Sequence, residues 1–259
     1  MINPKISFTF RKTAPAAQAG FSLIELMIVI LLLSIIMGSV FSQIDLVQKR
    51  FRTEQNRLDI SQTAREFLDQ IVRDLHKAGY PNWRLYQQGV FSDTDAYHYK
   101  SAYIAIGLFY IDRTLIKFEG DLNGDGKVLN VAYKLETDTA LPGNENCPCL
   151  RRAQEAKADG ADPLAWVPTY QTQVENIDPA TISTLPVFTA FDNLGALQTI
   201  SPALTKINFN PDDTGPTAAD PINRIWTIQV QMSVRGQNTD LSTNARPEVF
   251  LTATAQMNN

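Results

Sequence analysis

The sequence is poor in residues that usually carry chemistry. Across 259 residues it has two cysteines, Cys147 and Cys149, and two histidines, His76 and His98. Two cysteines cannot frame a disulfide-built fold and are too few for a zinc site. Their Cys-Pro-Cys spacing is not the redox C-x-x-C. No histidine lies nearby to activate a thiol, so the pair reads as a local loop disulfide or as free thiols. Neither histidine falls in a G-x-S-x-G, H-E-x-x-H or phosphate-loop pattern. The sequence is therefore not read as an enzyme. Positive charge is also scarce past the start. Lys5, Arg11 and Lys12 fall in the first 20 residues, which hold no acid. With those three of the 23 basic residues set aside, 20 face 27 acids, a formal −7 for the remainder. An acidic body without a basic stripe does not suit nonspecific nucleic-acid binding, so no nucleic acid is expected as a partner. No internal repeat is present.

A long apolar run is present instead. From Phe21 to Phe41 the only formal charge is Glu25, and the other clearly polar residues are Ser22, Ser34 and Ser39. As a helix this stretch spans about 31 Å, one hydrocarbon core. The basic residues precede it, which places the N-terminus in the cytoplasm and the bulk of the chain across the membrane. A conventional secretory signal has a shorter apolar stretch followed by a small-residue cleavage site, and neither applies here. A plain signal anchor explains length and orientation but not Glu25. A carboxylate there costs on the order of 3 kcal/mol on insertion scales. Cleavage between Gly20 and Phe21 would leave a new α-amino group four residues from that carboxylate.

The stretch "GFSLIEL" at residues 20–26 resembles the processing site of type IV prepilins and type II secretion pseudopilins. The resemblance implies a basic leader over 1–20 and a membrane peptidase/methyltransferase that cuts after Gly20 and N-methylates Phe21. It also implies that Glu25, at the fifth mature position, docks subunits by neutralising the N-terminal ammonium of a neighbour. An ion pair of that kind offsets much of the cost of a buried carboxylate. The bland alternative is that Glu25 snorkels, or is protonated, in a monomeric anchor.

Helical signals continue beyond the run. No glycine or proline occurs from Ser39 to Ala78. Apolar residues recur at Ile44, Val47, Phe51 and Leu58, then at Ile60, Ala64, Phe67, Leu68, Ile71 and Leu75, a stripe that drifts around a helix. Gly79-Tyr80-Pro81 is a helix stop. A helix from Phe21 to Ala78 would be about 87 Å long. Residues 21–41 would form its transmembrane or filament-core segment and 42–79 an amphipathic continuation. The stretch "AREFLDQIVRDLHKAGYP" at 64–81 is similar to the helix end of PilW-like minor pilins, through Arg73, Asp74, Ala78, Gly79 and Tyr80. J-type minor pseudopilins of type II secretion share a related pattern. Asp69 and Arg73 also stand at i and i+4, the spacing of a surface ion pair.

Residues 80–259 read as a β-rich domain on the far side of the membrane. Strands are expected at Ala102–Tyr110, Thr114–Glu119, Asn130–Leu135, Thr199–Ile200, Lys206–Phe209, Ile225–Arg235 and Glu248–Thr254. The last two read as partners. Long irregular stretches are expected over Leu141–Trp166 and Asn210–Asn223. One helix followed by mostly antiparallel strands is an α+β domain. The resemblance implies the pilin-like lollipop, a long helix packed on an antiparallel sheet.

Asp121, Asn123 and Asp125, with Gly126, occupy positions 1, 3, 5 and 6 of a candidate calcium loop. Position 12 is Ala132 rather than an acid, and Glu119 or Glu136 would have to supply the missing carboxylate. Asn-Gly and Asp-Gly equally make a hairpin tip without metal. Tyr97, Tyr99, Tyr103, Tyr110 and Trp83 cluster in sequence and read as core packing, or else as a carbohydrate or partner surface. The expected function is that of a minor pilin or pseudopilin. Its partners would be the prepilin peptidase, the inner membrane and other pilins, whether in a pilus, a secretion pseudopilus or a DNA-uptake device. The large body suits a minor subunit. The alternative is a calcium-dependent adhesin or ligand-binding module on a pilin anchor.

Overall fold

The structure is a computed structural model. It describes residues 20, 22–82, 85, 98–140, 144–178, 186–207, 209, 217–237, 239–240 and 245–257. Phe21, Trp83 and Tyr97 lie outside the described residues. The chain divides into two compact units, Met1–Lys49 and Arg50–Asn259.

The first unit contains the start of helix α1, which runs Leu23–His76. The amides of Glu25 and Leu26 donate to the Ser22 carbonyl at 3.0 and 3.1 Å, closing the first turn. Ser34 and Ser39 turn their hydroxyls back onto the Ile30 and Ile36 carbonyls at 2.7 and 2.8 Å. Their polarity is thus absorbed within the helix, as an apolar surrounding requires. Leu23 to Val47 are exposed throughout.

The second unit packs the rest of α1 with two antiparallel sheets. The six-stranded sheet has the order β5-β4-β3-β2-β1-β8 and the four-stranded one β10-β9-β6-β7. In chain order the strands are β1 Leu108–Ile111, β2 Leu115–Gly120, β3 Leu129–Glu136, β4 Cys149–Ala156 and β5 Gln171–Val174. They continue with β6 Phe188–Phe191, β7 Leu197–Gln198, β8 Leu204–Thr205, β9 Thr227–Arg235 and β10 Glu248–Gln256. Ala64, Phe67, Leu68, Ile71 and Leu75 of the helix are buried in one cluster with Phe118, Tyr133, Leu150 and Val234 of the sheets. Each large apolar side chain buried in this way contributes about 1.5–3 kcal/mol. The fold is α+β, with one long N-terminal helix and a mostly antiparallel β domain.

The partnership of the last two long strands holds over its whole length, from Glu248 opposite Arg235 to Gln256 opposite Thr227. β2 and β3 also fall within a residue of the strands expected at Thr114–Glu119 and Asn130–Leu135, while others depart from expectation. Ala102–Gly107 are not a strand. They run near one end of the larger sheet, where the Ala102 carbonyl accepts from the Val128 amide at 2.9 Å. The short strands fall at 197–198 and 204–205 rather than 199–200 and 206–209. β4 lies inside the stretch read as irregular, and β5 and β6 were not anticipated. The polar sequence of β4 hides it, because Arg152, two residues after buried Leu150, takes a place where an alternating pattern would show an apolar side chain. Arg151 bonds Asn144 and the Tyr170 carbonyl, and Arg152 is held by an acid from the helix.

Candidate functional site

In the first unit, the described part of the predicted processing region comprises Gly20, Ser22 and the opening of α1. Glu25 sits in the first helical turn, where the helix dipole favours a negative charge. The apolar side chains that follow are exposed on every side of the helix: Leu26 is 54% exposed, Met27 61%, Ile28 55% and Val29 53%. Successive residues step by about 100° around an α-helix, so this is no single stripe. It is a cylinder of apolar surface long enough to cross a membrane. Such a surface is stable only against lipid or like helices. Expected residue Phe21, the site of cleavage and methylation, lies outside the described residues.

In the second unit, the helix stop does structural work that its sequence only hinted at. Gly79, with φ 81°, donates its amide to the Glu119 carbonyl at 2.8 Å. Ala78 bridges to Gly120 as an isolated β-bridge, and the Asp121 amide donates to the Tyr80 carbonyl at 2.7 Å. A side chain at Gly120 would collide with the Lys77 carbonyl oxygen, so the close approach requires glycine there. The end of α1 is thereby stitched to the end of β2.

Asp74 completes the attachment. Its Oδ2 accepts from the Tyr133 hydroxyl at 2.5 Å and from Arg152 Nη2 at 2.8 Å and Nε at 3.2 Å. Arg152 Nε also donates to the Tyr133 oxygen at 3.0 Å. Burial and then the Asp74 charge push the Tyr133 hydroxyl well above its ordinary value, so it stays a donor. Burial works against the Arg152 charge, but Tyr133 and Asp74 together hold its pKa above the usual value. A second buried pair lies at Glu119. Lys157 Nζ donates to Glu119 Oε2 at 2.7 Å and to the Tyr99 and Ile104 carbonyls at 2.6 and 2.9 Å. The Ile106 amide donates to the same Glu119 oxygen at 3.1 Å, while Glu119 Oε1 has no partner among the described residues. Burial pushes the Glu119 carboxyl up to about 7 against the pull of Lys157, and it lowers the Lys157 pKa. The pair pins residues 99–106 to the sheet. Neither Arg152 nor Lys157 was singled out in the sequence. The buried acid that needs each basic partner lies far from it along the chain.

The candidate calcium residues form the β2–β3 hairpin tip. Asp121 accepts from the Gly124 amide at 2.7 Å through Oδ1 and from the Gly126 amide at 2.9 Å through Oδ2. Asn123 Nδ2 donates to Asp125 Oδ2 at 2.9 Å, and Asp125 Oδ1 accepts from the Lys127 amide at 2.8 Å. The carboxylates are thus occupied in closing the turn. The acids proposed to complete a metal site are engaged elsewhere: Glu119 on Lys157, and Glu136 on Lys134 at 2.7 Å. Among the described residues no cluster of three acids, histidines or cysteines stands ready for a metal. The sulfurs of Cys147 and Cys149 are bonded to each other, at the start of β4. Of the tyrosines that cluster in sequence, Tyr99, Tyr103 and Tyr110 do not form a core cluster. Tyr103 is exposed, Tyr99 stacks on Phe209 at 4.2 Å, and the Tyr110 hydroxyl donates to Asp112 at 3.0 Å.

Residues 15–41 match the family model described as the prokaryotic N-terminal methylation motif. The chain has the N-terminus of a type IV pilin or pseudopilin. That motif spans Gly20, Glu25 and the whole exposed apolar cylinder. No curated protein and no solved structure matches the chain. The pilin-type segment is apolar enough and long enough to anchor the protein in a membrane.

Proposed function

We propose that the protein is a minor pilin or pseudopilin that assembles through its N-terminal helix into a type IV filament or its initiating tip complex. The observation that carries this reading is the apolar cylinder of Leu23–Phe41, exposed on all sides and interrupted only by Glu25 among charged residues. Before assembly the membrane covers that surface. In a filament, neighbouring helices replace the lipid, and Glu25 pairs with the methylated amino terminus that cleavage after Gly20 creates on Phe21. The chain enters the membrane with its basic leader in the cytoplasm and its body in the periplasm. Its work is assembly, not catalysis.

The second half of the helix supports the same reading. Phe51 is 72% and Leu58 60% exposed. At about 100° per residue they share one face, about 140° from the centre of the face that Ala64, Phe67, Ile71 and Leu75 bury on the sheets. An apolar face turned away from the protein's own body suits a neighbouring subunit's helix. The way Asp74, Ala78, Gly79 and Tyr80 lock the helix end to the sheet is consistent with the PilW-like subtype, because it gives that sequence pattern a physical task.

Mass spectrometry of the native N-terminus tests the reading. With the prepilin peptidase present, the chain is expected to begin at Phe21 with one added methyl group. Without it, the chain retains its leader. A chain cut after Phe41 would overturn the proposal.

A further inference from the structure

A cleft of about 420 Å³ opens between α1, β5 and the end of β9, within the second unit. Ile60, Val174 and Val234 supply its apolar lining. Asn56, Asp59 and Thr63 line it from the helix, and Thr172, Gln173 and Glu175 from β5 and the residue after it. Asn176 closes one end with φ 57°, a left-handed turn that asparagine tolerates better than most residues. That turn takes the chain from β5 to the bridge between Ile177 and Val234, where the two sheets meet.

Four observations define what the cleft takes. First, β5 is the last strand of its sheet and pairs only with β4 among the described residues. Its outer backbone groups are a template for another strand. Second, the side chains of Asn56, Asp59, Thr63, Thr172 and Gln173 make no hydrogen bond to another described residue. Amides and hydroxyls of this kind match the alternating donors and acceptors of a peptide backbone. Third, the lining contains no aromatic ring, so a sugar ring finds no stacking platform there. Fourth, the charge is one-sided. Arg235 is engaged by Asp178 at 2.9 Å, with Glu248 at 3.9 Å, leaving Asp59 and Glu175 to set the sign. β10 is likewise the last strand of its sheet and pairs only with β9 among the described residues.

We infer that this cleft receives an extended, basic peptide segment of another polypeptide, added as an outer strand to β5 with its cationic side chains toward Asp59 and Glu175. β5 is four residues long, so the matching segment is of similar length. The site is independent of filament assembly through the N-terminal helix, and its test does not depend on incorporation.

The test uses the full-length protein in detergent micelles. The probe is a fluorescent, end-capped peptide of alternating valine and threonine flanked by lysines. Fluorescence anisotropy gives affinity, and hydrogen exchange locates the contact. Binding is expected to slow exchange over residues 171–174. Backbone N-methylation of the probe, which removes its strand-pairing donors, is expected to weaken binding at least tenfold. Replacing its lysines with glutamates, or introducing Asp59→Asn with Glu175→Gln, is expected to weaken it several-fold. Equal binding of the N-methylated probe would overturn the inference. So would protection confined to β10, absence of binding at millimolar probe, or occupation of the cleft by a β-1,4-linked N-acetylglucosamine tetramer in preference to the peptide.

Discussion

The two parts of α1 solve opposite problems with the same secondary structure. Over Leu23–Phe41 the helix exposes apolar side chains on every side. Over Ala64–Leu75 it buries one face on the sheets of the body and keeps the others polar. Their acids differ in the same way. Glu25 is exposed and has no charged partner among the described residues, while Asp74 is buried between Tyr133 and Arg152. A helix can therefore be complete within its own chain at one end and incomplete at the other. The incomplete end needs a cover from outside the chain, whether lipid or a neighbouring helix.

The largest effect is expected from removing the incomplete end's charge. Glu25→Ala should still insert and be cut after Gly20, because neither step needs the carboxylate. Incorporation into filaments or tip complexes should fall at least tenfold, measured by quantitative immunoblotting of sheared filaments and cross-linked complexes. Normal incorporation would mean that the charge only snorkels, and the contrast with Asp74 would lose its functional side.

Removing the complete end's charge should act on stability instead. Asp74→Ala leaves Arg152 charged and half-buried without its acid. Breaking a buried pair in this way costs about 3–5 kcal/mol. Denaturant unfolding should show that loss. Pairing Asp74→Leu with Arg152→Met should recover much of it, since apolar residues of similar volume often replace buried ion pairs without loss. If the double variant is no better than the single one, the network supplies something other than charge compensation.

The second buried pair sharpens the comparison through pH. Glu119 has its folded-state pKa raised from 4.5 to about 7. A raised carboxyl pKa means that the folded protein binds the extra proton. Its contribution to stability is full below about pH 4.5 and is lost as pH rises to about 7. Glu119→Gln should remove that slope from urea midpoints measured across this range, whatever it does to the absolute stability. An unchanged slope would assign it to another group.

These contrasts also explain which parts of the molecule were legible in the sequence. The apolar run, Glu25 and the helix stop were legible because they are local: composition, position and glycine carry them. The β9–β10 pair was legible because alternation over nine residues is a local pattern too. β4 was not, since its Arg152 satisfies an acid 78 positions away. The calcium reading of Asp121, Asn123 and Asp125 rested on spacing alone. The same spacing serves a hairpin tip whose carboxylates close on their own backbone amides. The cleft beside β5 had no sequence signature, because three separate chain segments build it.

The smallest effect on the body is expected at the boundary between the two regimes. Phe51 and Leu58 lie in the second unit, yet both are exposed on the side away from its core. Replacing both with serine removes no buried contact. The unfolding midpoint should move by less than the equivalent of about 0.5 kcal/mol, as surface substitutions usually do. If this face packs against a neighbouring helix, incorporation should nevertheless fall by a few-fold, well short of the loss at Glu25. Packing area is graded from contact to contact, whereas an unpaired charge in an apolar interface is an obstacle to the whole contact. A variant with lowered stability and intact incorporation would place Phe51 and Leu58 with the body. Lowered incorporation at unchanged stability would extend the incomplete region of the helix past Lys49 and into the unit that otherwise satisfies itself.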